Sequence, residues 1–345
     1  MMKRPMTKTK KRNIVSMITM AALLVVYAVL RVLISAGMIN AYVLAIVTQA
    51  CINVVAAVSL NMVTGLLGQL VLGHAGFMLV GAYASALFVK NSGWDLSASF
   101  PLSLLLAGLL AAVFGFVIGI PALRLRGDYL AIITLGFGEI IRVVANNLSI
   151  TNGAKGLTGI PSVASRTNPG GLFNYVFLLA AFVVAFSYAF GTSRHGRAVI
   201  AIREDEIAAE ASGINSTYYK LLTFVTSAFF AGVAGGMYAS YIRVIDPAKF
   251  DFNRSVEILM MVVLGGMGSI TGSVISAGVL TILPEALRGF ATYRMLVYSV
   301  VLVFVMLFRP KGLLGRKELH VIEPFEKWMA RRKEKSSTGG KGAPQ

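Results

Sequence analysis

From residue 14 to residue 308 the chain repeats one pattern: an apolar run of about 20 residues, then a short polar joint. The run YVLAIVTQACINVVAAVSLNMV (42–63) carries no charge, and neither does PLSLLLAGLLAAVFGFVIGI (101–120). In lipid no water pairs with exposed backbone groups, so a spanning segment must be a helix or part of a closed barrel. Runs this long and continuous select the helix. Only 14% of the 345 residues are charged, against about 25% in an average soluble domain. The expected fold is an all-α polytopic membrane protein with about ten spans. They fall at 14–33, 42–63, 70–89, 101–120, 129–148, 172–190, 219–241, 255–267, 272–287 and 293–308, and the eighth and ninth are short enough to form one re-entrant unit.

The net charge of +17 is distributed unevenly. Basic residues gather in 1–13, 121–128, 191–218 and 309–345, and alternating spans bring these four segments to the same side. Cytoplasmic segments hold the excess Lys and Arg, so both termini and residues 191–218 are expected in the cytoplasm. Residues 1–13 then form a basic cytoplasmic N-terminus, 14–308 the transmembrane domain and 309–345 a basic tail with a short interfacial helix at 322–335. MMKRPMTKTKKRN and the run after it read as a retained first span, because no clean small-residue cleavage site follows. Interleaved basic and aromatic residues of the nucleic-acid-binding kind are absent from the sequence. A single cysteine, Cys51, excludes an internal disulfide, and the three histidines show no metal-ligand spacing.

One stretch breaks the apolar rule. Residues 194–215, RHGRAVIAIREDEIAAEASGIN, hold Glu204, Asp205, Glu206 and Glu210 close together. The pattern predicts a short helix from Asp205, its N-cap, to Gly213, which ends it in a left-handed turn. Ile207, Ala211 and Ile214 form an apolar stripe opposite the acids, and Ala208 and Ala209 keep the helix thin. Interfacial helices that meet anionic lipid favour Lys and Arg, so an acidic face suits a protein groove better, and the stretch is expected to dock a cytoplasmic partner. The alternative is a plain connector.

Glycines cluster twice. LNMVTGLLGQLVLGHAGFMLVGAY (60–83) contains Gly65 and Gly73 beside Asn61, Gln69 and His74, and VLGGMGSITGSVISAG (263–278) contains Gly265, Gly266 and Gly268. Glycine-interrupted segments in corresponding places of two halves point to a translocation pathway at midplane. Close helix packing through small residues, with Asn61, Gln69 and His74 as helix-to-helix hydrogen-bonding groups, is the competing explanation. Within GDYLAIITLGFGEIIRVVANNL, Glu139 and Arg142 stand three residues apart, on one helix face, and are expected to pair either as a structural link or as a pathway wall. Asn146 and Asn147 follow, then TNGAKGLTGIP (151–161) with Thr151, Gly153 and Gly156, a turn-rich loop expected outside.

Taken in order, these motifs and the closing LFRPKGLLG resemble the LivM-type permease subunit of branched-chain amino-acid ABC importers, over about residues 40 to 316. The run AIREDEIAAEASGIN resembles the coupling loop of ABC-importer permeases, though the Leu-Pro that often follows is missing. The resemblance implies a type II ABC-importer fold in the cell inner membrane, with broken helices in each half. It assigns ATPase coupling to Arg203, Glu204, Asp205, Glu206, Ala208, Ala209, Glu210 and Gly213, and the outer entrance to the 146–156 region. It further implies a LivH-type second permease, two ABC ATPase subunits and an extracytoplasmic amino-acid-binding protein, with branched-chain or related small amino acids as substrate. No G-x-x-x-x-G-K-[ST] occurs, so the chain needs no cofactor of its own, and ATP and Mg are expected on the partner ATPases. An ion-gradient transporter would want intramembrane carboxylates. Glu139 has a partner in view and Glu257 and Glu285 fall near span ends, which disfavours that alternative. No nucleophile–base spacing suggests an enzyme.

Overall fold

The computed structural model describes residues 40–125, 127–163 and 170–290, with scattered positions between 27 and 34 and between 299 and 315. The expected spans at 14–33 and 293–308, the basic N-terminus, and the tail with its helix at 322–335 fall wholly or largely outside them. Helix α1, Ala41–Asn61, continues directly into a π turn, Met62–Leu67, and every residue from 52 to 67 is buried. A helix apolar on all sides belongs at the centre of a bundle. Helix α8, Ser216–Ile242, is the second central element and packs along α1.

Around these two lie α2 (His74–Asn91), α3 (Leu96–Ala122), α4 (Asp128–Asn147) and α5 (Gly171–Thr192). Four helices are long and apolar enough to cross a membrane: Ala41–Leu67, Leu96–Ala122, Gly171–Thr192 and Ser216–Ile242. Helix α2 packs on both α3 and α8, which also pack on each other. Its seam with α8 is made of small residues, as expected where lipid supplies no hydrophobic drive and close backbone packing must hold helices together. Helix α4 packs less closely and leaves Tyr129, Ile132, Ile140, Val143 and Val144 exposed.

The spans expected at 42–63, 101–120, 129–148, 172–190 and 219–241 are all present within a few residues. The one expected at 70–89 is not a full helix. Residues 68–73 are irregular and the helix begins at His74. Helices α9 (Phe252–Gly265) and α10 (Ile270–Ala286) form one antiparallel hairpin, with Gly265 packed on Gly272. The eighth and ninth expected spans are therefore one hairpin, with its turn beside Asn61.

Side-chain contacts fix the levels at which these elements begin. Ser59 Oγ lies 2.8 Å from His74 Nε2, and Ala75 N donates to Ser255 Oγ at 3.1 Å. Arg254 Nη2 donates to Asn53 Oδ1 at 2.7 Å. Helix α2 therefore starts beside the C-terminal end of α1, and Arg254 in the first turn of α9 reaches the middle of α1. The two faces of the bundle also differ. At the Leu67 end lie two short helices, α6 (Arg194–Glu204) and α7 (Glu206–Ala211). At the Ala41 end, strand β1 (Leu157–Thr158) pairs antiparallel with β2 (Val244–Ile245), Leu157 opposite Ile245.

Candidate coupling and translocation site

The two glycine clusters meet at the Leu67 end. Asn61, the last α-helical residue of α1, reaches the α9–α10 turn with both amide atoms. Its Nδ2 donates to Ser269 O at 3.0 Å, and its Oδ1 accepts from Gly268 N at 2.9 Å. Asn61 thus replaces a missing backbone pairing and is not free to face solute. Gly65 lies one turn further on. A Cβ there would fall 1.9 Å from Asn61 Oδ1 and 2.3 Å from Gly268 N, so only glycine permits the approach. Gly68 ends the π turn in the left-handed region (φ 77°), and Gly266 and Gly268 carry the hairpin turn at φ 107° and 92°.

Arg203, the penultimate residue of α6, reaches into this junction. Its Nη1 donates to Gly65 O at 2.8 Å, its stem packs on Gly68, and its Nη2 pairs with Glu204 at 2.7 Å. One side chain of the charged insert therefore touches both broken segments. Among the described residues, Thr64 Oγ1, Gln69 Oε1 and Arg203 Nε are buried here without a hydrogen-bond partner. Buried polar atoms are almost always paired, and unpaired ones gathered at one junction mark a place that water or a rearrangement completes.

The other pathway candidates make packing contacts. His74 is buried and bonded to Ser59. Gly73 abuts the Thr134 carbonyl of α4, and Gly265 abuts Gly272. These satisfy the helix-packing alternative.

The insert departs from expectation in three ways. First, it contains a helix that the acidic pattern concealed, α6, capped by Ser193 Oγ accepting from Gly196 N at 3.0 Å. The signal was present: Ser193 stands three residues before Gly196, and Val199 and Ile202 share its buried face. Second, the apolar stripe of α7 is not what holds it. Ile207 is 73% exposed and Ala211 is exposed, whereas Ala209 is buried. Third, one acid of α7, Glu206, turns inward. Glu206 Oε1 lies 2.8 Å from Lys220 Nζ, and Lys220 is only 4% exposed. Ser216 Oγ donates to Glu210 Oε1. Charge satisfaction outranks the stripe, because a buried ammonium without a carboxylate costs more than an exposed isoleucine. The predicted caps hold: Asp205 Oδ1 accepts from Ala208 N at 3.0 Å, and Gly213 has φ 82°.

Lys220→Met takes the buried cation away from Glu206. It is expected to loosen α7 by about 3–5 kcal/mol, while Lys220→Met with Glu206→Gln recovers most of the loss. Limited proteolysis between α6 and α8 checks this, and equal cleavage of the single and double variants would count against the ion pair as the anchor.

Glu139 and Arg142 pair as expected, with Oε2 2.7 Å from Arg142 Nη2, and both are half-buried on α4. At the Ala41 end, Thr151 Oγ1 donates to the Ala145 carbonyl at 2.5 Å, and Asn152 Nδ2 to Gly156 O at 2.8 Å. Gly153 and Gly156 both carry positive φ, and Gly156 abuts Ile245 O. Asn146 and Asn147 are exposed, and Asn147 Nδ2 bonds back to Val143 O at 2.7 Å. The expected turns are present. The β1–β2 ladder that ties this loop to the second half was not expected from the sequence, because two-residue strands leave no periodic trace.

Residues 42–308 match the family described as branched-chain amino acid transport system, permease component. The chain is 38% identical over 322 residues to the high-affinity branched-chain amino acid transport system permease protein LivM of Salmonella typhimurium, spanning 85% of this chain and 73% of that protein. Identity to LivM of Escherichia coli is also 38%, over 324 residues, 86% of this chain and 74% of that protein. The LivH permease of Escherichia coli is 28% identical over 290 residues, 77% of this chain and 92% of that protein. No solved structure matches at a significant level. With a multi-pass helical bundle, two broken segments joined at one end and this extent of similarity, the chain belongs to the branched-chain amino acid transport system permease family.

Proposed function

We propose that this chain is a pore-forming permease subunit of an ATP-driven importer in the cell inner membrane, moving branched-chain or related small amino acids. The single observation that carries the mechanism is Arg203, which joins the α6–α7 insert to Gly65 and packs beside Gly268. In this reading the Leu67 end is cytoplasmic, as the basic residues of 191–218 and 121–128 favour. Helix α7 sits in a groove of an ABC ATPase. ATP-driven movement of that subunit displaces α6, and Arg203 carries the displacement to the π turn and the hairpin turn. A π turn inside an α-helix is a common functional irregularity, and turns of this kind have discrete alternative packings. The chain supplies the path and the lever, and its partners hydrolyse ATP.

The exposed apolar face of α4 and its Glu139–Arg142 pair suit contact with a second, LivH-type permease subunit, and the Asn146–Gly156 region at the opposite end suits contact with an extracytoplasmic binding protein. Docking to the ATPase then rests on Ile207 with Ala208 and Ala211, while Glu206 and Glu210 hold the helix in place.

Ile207→Asp tests this. Burying an isoleucine at an interface is worth about 1.5–3 kcal/mol, so recovery of the ATPase subunits with the tagged permease in detergent is expected to fall about ten-fold or more. The LivH-type partner should still be recovered. Undiminished ATPase recovery would show that α7 is not the docking helix.

A further inference from the structure

We infer that the cavity between α1, α8 and α9 is a transient binding site for the zwitterionic α-amino and α-carboxyl groups of an amino acid. The inference rests on the importer function proposed above and adds where the solute is held. The cavity is about 360 Å³ and is lined by Gln49, Tyr238, Lys249, Asp251, Arg254 and Glu257. That volume lies within the usual range of small-molecule sites, about 300–1,000 Å³.

Its depth is the first argument. Arg254 donates to Asn53 Oδ1 at 2.7 Å, and Asn53 stands near the middle of the continuous 27-residue helix Ala41–Leu67. By helix rise that is about 18 Å from its Ala41 end. The irregular segment before α9, including the 3-10 turn Pro247–Phe250, therefore lies at a depth where lipid-exposed irregular backbone is not tolerated. Such backbone is tolerated where protein buries it or where it lines a water-filled cavity; Pro247 and Phe250 are buried in protein, whereas Ala248 and Lys249 are exposed and line the cavity. Glu257, placed near a span end by sequence alone, is at membrane depth because α9 is a half-length helix that starts there.

Charge is the second argument. Ionisable groups at membrane depth are costly and mark substrate or ion pathways. Here they are two cations, Lys249 and Arg254, and two anions, Asp251 and Glu257, so the cavity is neutral as a whole and charged at both poles. That is the complement of a zwitterion and not of a lone cation or anion. Arg254 is held by Asn53 and by Glu257 at 2.9 Å, and its guanidinium lies 5.9 Å from the Tyr238 ring centroid. Asp251 caps α9, accepting from Arg254 N at 3.1 Å. Lys249 is exposed and can turn to a carboxylate, and Glu257, exposed and paired with Arg254 through Oε2, has its other oxygen to offer an ammonium. Tyr238 offers a ring face to the ammonium. Recognition through groups that every α-amino acid shares makes the site tolerant of the side chain.

The test uses the full complex of both permeases, ATPases and binding protein in proteoliposomes, with labelled L-leucine as probe. The permease–ATPase complex without binding protein is assayed for leucine binding in parallel. Lys249→Gln and Glu257→Gln are each expected to weaken leucine binding about ten-fold or more, the loss of one charge-assisted hydrogen bond. The ammonium-only analogue 3-methylbutylamine and the carboxylate-only analogue 4-methylpentanoate should bind more weakly than leucine by a similar factor. Unchanged leucine binding in both variants, or no leucine binding by the wild-type complex while it still transports leucine, overturns the site and leaves the importer reading standing. Variants that fail only to capture the binding protein make this a docking surface instead. Absence of amino-acid transport by the complete wild-type system overturns the importer reading itself.

Discussion

Gly65→Val is expected to reduce leucine uptake by the reconstituted importer by about 100-fold or more. The cause is geometric. Even a Cβ would meet Gly268 N at 2.3 Å and Asn61 Oδ1 at 1.9 Å, both held by the hydrogen bonds that join the two broken segments. Overpacking costs about 1–3 kcal/mol. Each buried hydrogen bond broken without replacement adds about 1–3 kcal/mol. The clamp can relieve the clash only by opening, which separates the π turn from the hairpin turn. Gly136→Ala on α4 is the control, because nothing lies within 4 Å of a Cβ there. Uptake near wild type in Gly65→Val would mean that the two turns are already apart in the transporting state.

Arg203→Ala is expected to separate hydrolysis from transport. The substitution removes the charged donor to Gly65 O and the stem that packs on Gly68, but leaves α7, its Lys220 anchor and Ile207 untouched. A hydrogen bond from a charged group is worth about 1.5–3 kcal/mol, so uptake should fall about 10- to 150-fold. ATP hydrolysis by the assembled complex should stay within a few-fold of wild type. Measuring both on one preparation decides the matter. A parallel loss of hydrolysis and uptake would make Arg203 a structural residue of the insert, and an unchanged uptake would remove it from the pathway of coupling.

Much of the bundle was legible because its causes are local. An uncharged run such as 101–120 has one way to satisfy its backbone in lipid, and a helix follows at Leu96–Ala122. Asp205 and Gly213 act within a few residues of themselves, so the start and end of α7 could be read directly. The i, i+3 spacing of Glu139 and Arg142 likewise set their pairing. The misreadings share another cause. The pairing of Glu206 with Lys220 was not read, because Lys220 lies in the next span and spacing does not reveal it. Ser193 and the α6 helix were overlooked beside the denser acidic signal that follows.

Sequence by itself determined that this chain is a helical membrane protein, where its helices interrupt, and which segment stands apart as charged. Those follow from backbone hydrogen bonding in lipid and from residues acting within one or two turns. Tertiary structure decided that Gly65 meets Gly268, that Arg203 reaches both, and that Arg254 stands beside Asn53. These contacts join residues 65 to 203 positions apart, and close packing selects them from shape and depth, which no local pattern encodes.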